Sequence, residues 1–236
     1  TWRMNKAIEC VFFHHPNAKV IVHTHFDLHQ KGFQQFRDAG YNLVEEQYDF
    51  ITKMKKVAKQ IAADTRDNTL ITLVDSFTSE SSIKGKRSGK YWYSHQTDFI
   101  RLCTLYLYGG VYLDTDMYVI KPLPITLKNT VGYEDNMGTI NGAIMIFDRK
   151  ASFIRTAFRY ALEHYSRGTW GCVGPVLLSK LYKERDYNKQ KKEVFYPYYF
   201  QDTPQCFNEV GEGLTNNPRF NKTYSIHLNT KVTQHI

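Results

Sequence analysis

The chain has 236 residues, of which 42% are hydrophobic, enough to bury one sizeable core; this excludes a disordered or low-complexity protein. Lys plus Arg exceed Asp plus Glu by 31 − 23 = +8, a balance that fits either a phosphorylated, anionic partner or ordinary surface solvation. The basic runs at residues 53–56, 84–90 and 189–192 are short and match no nucleic-acid-binding module.

In chain order, residues 3–14 read as a helix that ends before Pro16, and residues 18–24 as a buried strand. Residues 28–39 read as a helix stopped by Gly40, residues 41–44 as a short strand and residues 52–63 as a basic amphipathic helix. Residues 70–74 fit strand or helix, and residues 79–90, rich in Ser, Gly and Lys, fit a mobile loop. Residues 94–108 read as a helix with Ser94 as N-cap. Its apolar stripe is Phe99, Leu102, Cys103, Tyr106 and Leu107. Gly109-Gly110 ends it, residues 111–113 follow as a buried strand, and residues 117–120, 130–133 and 142–147 as further strands. Helices at 151–165 and from Gly174-Pro175 through Leu181, and a late strand at 224–228, complete an α/β pattern around a mainly parallel central sheet.

Four cysteines, Cys10, Cys103, Cys172 and Cys206, form no C-x-x-C pair. Their even number permits three disulfide connectivities, while the apolar neighbours of Cys103 favour a buried thiol there. No run of about 18 apolar residues is present to span a bilayer, and no signal peptide is visible. Asn221-Lys222-Thr223 is an N-glycosylation sequon and a weak pointer to a secretory lumen.

Three groups of residues carry chemistry. Asp114-Thr115-Asp116 sets two carboxylates one residue apart at a strand end, so both point to one side. Hard divalent cations take oxygen ligands, and open α/β sheets bind ligands just past their strand ends. The motif alone also fits a solvated turn; the helix, Gly-Gly turn and apolar strand before it favour a site. Asp98 and Arg101 lie one helical turn apart, and spacing leaves open a surface ion pair or a pair aimed at the same site. His227, on a late apolar strand, fits a core imidazole or a ligand. His23 and His25 have strand spacing but no third ligand nearby in sequence.

The run S-H-Q-T-D-F-I-R-L-C-T-L-Y-L-Y-G-G-V-Y-L-D-T-D-M-Y-V-I-K-P-L (residues 94–123) resembles the core of glycosyltransferase family 32. That family includes α-1,4-galactosyltransferases, α-1,4-N-acetylglucosaminyltransferases and yeast α-1,6-mannosyltransferases, and large clostridial toxins share its pattern. Four elements coincide: Asp-x-x-Arg, Leu-Tyr-x-Tyr-Gly-Gly, Tyr-Leu-Asp-x-Asp and a following Pro-Leu. Weaker similarity covers residues 3–228, including Asn141-Gly142-Ala143, Gly174-Pro175 and Ile226-His227-Leu228. The resemblance implies a single GT-A (Rossmann-like) catalytic domain over residues 1–236, a nucleotide-diphosphate sugar donor (a UDP-sugar foremost) and Mn²⁺ or Mg²⁺. It implies retention of anomeric configuration, a glycan, glycolipid or protein acceptor, and a Golgi or other secretory lumen. Residue by residue, Asp116 matches the direct metal ligand and Asp114 the contact to ribose and the metal's water shell. His227 matches the histidine that completes the metal or diphosphate site. Asp98 and Arg101 match the pair gripping the transferred sugar, and Asn141 and Gly142 the strand beside it, with Glu134 and Asp135 as further contacts.

One departure stands out. The family begins with a strand that helps hold the base, upstream of the first helix, whereas residues 3–14 already read as that helix. The chain begins Thr1-Trp2-Arg3 without an initiator Met, as a fragment with a leader or membrane anchor upstream would. Residues 79–90 and the tail beyond His227 are expected to order around the donor. Two other classes fit less well: an inactive sugar- or nucleotide-binding module of the same fold, and a metal-dependent nucleotidyl or phosphoryl transferase, against which the absence of a G-x-x-x-x-G-K-[ST] loop counts.

Overall fold

The computed structural model describes residues 2–24, 31–182, 188–209 and 217–229. Helices and strands alternate at first: α1 (Trp2–His14), β1 (Val20–Thr24), α2 (Lys31–Asp38), β2 (Leu43–Gln47). Four helices follow, α3 (Phe50–Thr65), α4 (Thr69–Phe77), α5 (Glu80–Arg87) and α6 (Trp92–Tyr108). Then come four strands, β3 (Gly110–Leu113), β4 (Met117–Val119), β5 (Thr130–Tyr133) and β6 (Ile140–Phe147). The remainder comprises α7 (Ser152–Glu163), α8 (Pro175–Tyr182), β7 (Asn188–Gln190), two short helices, α9 (Lys192–Phe195) and α10 (Gln205–Glu209), and β8 (Ser225–His227). Residues 28–30 of the expected second helix, and His25, lie outside the described residues.

The α/β class holds, with a mixed rather than mainly parallel sheet. β1 and β2 are parallel, as are β5 and β7; β3–β6, β5–β6 and β4–β8 are antiparallel. The four-stranded sheet has the order β3-β6-β5-β7. The short connection from β5 to β6 explains the antiparallel pair, since a parallel partner needs a crossover of a dozen or more residues.

Helix α6 is the centre of the core. Its predicted stripe, Phe99, Leu102, Cys103, Tyr106 and Leu107, is buried throughout. Phe99 meets Phe50, Phe77 and Phe158 edge-on at 5.9, 5.2 and 6.1 Å, the geometry that aromatic quadrupoles prefer. All four cysteines are free thiols, and burial pushes the Cys103 thiol up to about 12.

Three local expectations are corrected. Residues 79–90 are not a loop: they contain α5, whose Ile83 is buried. Glu80 in its first turn and Lys84, Lys86 and Arg87 in its last complement the helix dipole. Ser94 is not an N-cap, because α6 begins at Trp92, whose indole packs on Phe50 at 5.5 Å. β3 is not buried; Val111 is 46% exposed because that strand borders a cleft.

Gly109 stops α6 at φ 68°, and a Cβ there would fall 2.5 Å from the backbone nitrogen of Arg149. Gly109→Ala is therefore expected to cost at least about 2 kcal/mol, from backbone strain plus the clash. Urea unfolding with an unchanged m-value would register it.

Candidate active site

A cleft of about 2080 Å³ runs along α6 and is bordered by β1, β3 and β4. Among the described strands β1 pairs only with β2, and β3 only with β6, so each presents one open edge. The face of α6 that lines the cleft carries Ser94, Thr97, Asp98, Ile100, Arg101, Thr104 and Tyr108.

The Asp114–Asp116 turn is set by pairing on both sides. β3 runs antiparallel to β6 up to Leu113↔Ile144, and the Asp114 N–H then donates to the Ala143 carbonyl at 2.8 Å. The Met117 N–H donates back to the Asp114 carbonyl at 3.0 Å, closing the turn. β4 then pairs with β8 so that Met117 faces His227, and the Leu228 N–H donates to the Asp116 carbonyl at 3.0 Å. This long-range pairing brings His227 to the two aspartates: His227 Nε2 lies 3.2 Å from Asp116 Oδ1, and one ligand atom from each of Asp114, Asp116 and His227 falls within 4.8 Å of the others. His227 Nδ1 is buried and has no hydrogen-bond partner among the described residues. Burial lowers the His227 pKa, but hydrogen bonding to Asp116 and the carboxylates of Asp116, Asp114 and Glu134 outweigh it, so the net shift is upward. Two carboxylates and one imidazole gathered by backbone pairing fit a Mn²⁺- or Mg²⁺-class ion.

Asp98 and Arg101 are both buried, so the surface ion-pair reading is excluded. Arg101 Nη1 lies 3.1 Å from Asp98 Oδ1, and Nη2 lies 3.0 Å from Asp114 Oδ1. The guanidinium also stacks 5.0 Å over the Tyr112 ring, whose hydroxyl donates to Asp114 Oδ1 at 2.8 Å. One guanidinium thus ties the helix pair to the aspartate turn. Among the described residues Asp98 Oδ2 and Arg101 Nε have no partner though buried, which costs about 1–3 kcal/mol for each such group unless a ligand supplies one. Burial raises the Asp98 carboxyl to about 6; Arg101 opposes that shift and Asp114 adds to it. Gly174 lies directly against Asp98, where a Cβ would be 2.6 Å from Oδ2.

Asn141 and Gly142 stand on β6 where its register against β5 shifts. The Asn141 side chain accepts from the Ala143 N–H at 2.8 Å, and Tyr196 bridges the irregularity, accepting from the Ile144 N–H at 3.1 Å and donating to the Asn141 carbonyl at 3.2 Å. Glu134 is half-buried at the cleft; burial raises its pKa, partly offset by Asn141 and His227. Asp135 is taken up structurally, accepting from Met137 and Thr139 N–H at 2.9 and 3.0 Å. His23 stands apart from the aspartates, 3.4 Å from Thr104 Oγ1 and 3.7 Å from Glu46. The tail from residue 230 lies outside the described residues.

Residues 1–137 match the family model described as "Glycosyltransferase sugar-binding region containing DXD motif". The chain belongs to this family of DXD-containing glycosyltransferases. Residues 146–236 match a second model, "Alpha 1,4-glycosyltransferase conserved region", so the two cover both halves of the cleft. Among relatives of this glycosyltransferase-family chain, "Lactosylceramide 4-alpha-galactosyltransferase" of Pongo pygmaeus is 32% identical over 153 residues, covering 58% of this chain and 68% of that protein. The Mus musculus protein of the same name is 32% identical over 152 residues, 58% of this chain but 41% of its own length. "Alpha-1,4-N-acetylglucosaminyltransferase" of Homo sapiens is 26% identical, covering 58% of this chain and 43% of that protein. The chain thus spans under half the length of most curated relatives named here. The solved structure "PaToxG Glycosyltransferase" superposes with a TM-score of 0.47 at 16% identity, covering 77% of this chain and 63% of that one.

The sequence analysis gave no role to Tyr112 or Tyr196. Tyr112 was reachable, because strand alternation puts it on the face of Asp114. Tyr196 arrives through long-range packing that no local pattern marks.

Proposed function

We propose that residues 1–236 form one GT-A-like catalytic domain of a metal-dependent, retaining glycosyltransferase. It moves a hexose or N-acetylhexosamine from a nucleotide-diphosphate sugar, a UDP-sugar foremost, to a hydroxyl of a glycan, glycolipid or protein. The observation that carries this reading is continuity: Arg101 joins the buried Asp98 to the Asp114–Asp116–His227 cluster in one cleft. The names of the relatives favour α-linked transfer to a glycolipid or glycan.

Asp116 and His227 would hold the ion, and Asp114 would contact the ribose and the ion's water shell. When bound, the ion would supply Lewis-acid neutralisation of charge on the departing nucleoside diphosphate. Arg101 adds a fixed positive charge beside that leaving group, with no reorganisation needed at the moment of bond cleavage. Asp98, through its open Oδ2, accepts a hydroxyl of the transferred sugar, and Asn141 and Gly142 line the opposite wall. The acceptor hydroxyl attacks the front face, and its proton goes to a donor phosphate oxygen, so no protein acid is required. Among the described residues no helix is long and apolar enough to cross a membrane. A Golgi or other secretory lumen is the compartment we propose, with the exposed Asn221 as its sequon residue.

The test is a panel of nucleotide sugars with Mn²⁺, read by nucleoside-diphosphate release. One donor is expected to stand at least about tenfold above the rest. Binding of a nucleoside diphosphate without release from any donor would indicate an inactive binding module. Sugar phosphate as product would indicate a phosphoryl or nucleotidyl transferase.

A further inference from the structure

Helix α6 works as a ruler along the cleft. Thr104, Arg101, Asp98 and His95 follow one another at near-helical repeats toward its N-terminus, and 95 to 101 spans about 9 Å at 1.5 Å per residue. Arg101 faces the aspartate turn, and Asp98 stands one turn further from it. At the next step His95, fully buried, holds the loop between α7 and α8. Its Nε2–H donates to the Thr169 carbonyl at 3.0 Å, and Nδ1 then accepts from the Tyr165 hydroxyl at 3.1 Å.

That loop is fastened from several sides. Cys172 Sγ donates to the Ser166 carbonyl at 3.2 Å, and Ser166 and Thr169 share a hydroxyl hydrogen bond of 2.8 Å. Arg167 Nη1 donates to the Gly85 carbonyl of α5 at 3.3 Å, and the Gly174 N–H to the Gly171 carbonyl at 2.9 Å. At the centre of this fixed loop Trp170 is 52% exposed and lines the same cleft as Asp98 and Asp116. Among the described residues no aromatic ring or cation stacks on its indole.

An exposed indole on a pinned loop offers a large, flat, apolar face at little conformational cost. Its neighbour Thr169 is held at His95, one turn of α6 beyond Asp98 and on the side away from the aspartate turn. In a transfer reaction the group beyond the donor sugar is the acceptor. We propose that Trp170 is a stacking platform for the acceptor, taking the apolar C–H face of a terminal hexopyranose, with His95 as the positioning residue that holds its loop. This rests on the glycosyltransferase reading above and names a substrate contact for it.

Two measurements test it, on wild type, Trp170→Phe and Trp170→Ala. The first is saturation-transfer NMR with lactose and the methyl glycosides of galactose, glucose, mannose and N-acetylglucosamine, with UDP and Mn²⁺ present; it needs no turnover. Wild type and the Phe variant are expected to bind at least one saccharide, and Trp170→Ala to bind it at least about tenfold more weakly. Equal binding by all three, or no saccharide signal from wild type, would overturn the platform. The second is kinetic: in Trp170→Ala the KM for the acceptor rises at least about tenfold, while acceptor-free donor hydrolysis stays within about twofold. Equal losses in hydrolysis and transfer would overturn an acceptor role. If wild type releases no nucleoside diphosphate from any donor but binds saccharide through Trp170, the glycosyltransferase reading fails and the platform stands.

Discussion

Asp116→Asn is expected to lower kcat/KM about a thousandfold, equivalent to about 4 kcal/mol of transition-state stabilisation, while leaving the fold intact. The side chain keeps its shape, but a carboxamide oxygen is a poor ligand for a hard cation. The fold survives because the contacts that build the turn are backbone bonds: Met117 to Asp114, and Leu228 to Asp116. Stability without metal should change by no more than about 1 kcal/mol, since the hydrogen bond from His227 keeps its acceptor but loses charge assistance, while carboxylate repulsion is relieved. Stability with metal should change more. An ion that binds only the folded state raises the melting temperature, so chelation should lower that of wild type and leave that of the variant unchanged. Full activity of wild type in excess chelator, or an unaltered response of the variant to Mn²⁺, would remove the aspartate turn from the metal site.

The turn was legible in the sequence because the residues that mark it are local. A helical stripe, two glycines, three apolar residues and two aspartates are consecutive, and the structure keeps them so. What gives the turn its third ligand is not local. His227 sits 111 positions after Asp116 (227 − 116) and arrives through the β4–β8 pairing, so residue type alone left it between core and ligand. The burial of Asp98 and Arg101 was likewise invisible: α6 is covered on nearly every face, and only the three-dimensional neighbours Tyr112 and Gly174 show that the polar stripe points inward. The loop expected at residues 79–90 failed for a different reason. Its Ser, Gly and Lys content fits a loop, whereas the order of its charges and the single apolar Ile83 fit a helix, which buttresses the Trp170 loop through Gly85.

Gly142→Ala is expected to be the most damaging change at a residue with no functional group. A Cβ at this position would fall 2.2 Å from Arg101 Nη1 and 3.2 Å from Leu178 Cδ1. A surface arginine would swing away at little cost. Arg101 is buried and held by Asp98, Asp114 and the Tyr112 ring, so its head has nowhere equivalent to go. Nη1 is the atom that faces Asp98, so that contact breaks first. Asp98 is then a buried carboxylate without its cation; its carboxyl already sits at about 6 because burial dominates, and losing Arg101 moves it further up. That shift favours the neutral carboxyl, which no longer accepts a sugar hydroxyl as an anion. Turnover should therefore fall at least about a hundredfold, about 2.7 kcal/mol. Affinity for Mn²⁺ with a nucleoside diphosphate should stay within about threefold, because Asp114, Asp116 and His227 keep their backbone pairing. In an Asp98→Asn background the same substitution should cost much less, since the two act on one contact and are not additive. Wild-type turnover in Gly142→Ala, or a loss of metal–diphosphate affinity as large as the loss of turnover, would show that Arg101 does not link the sugar pair to the metal turn in the way its distances suggest.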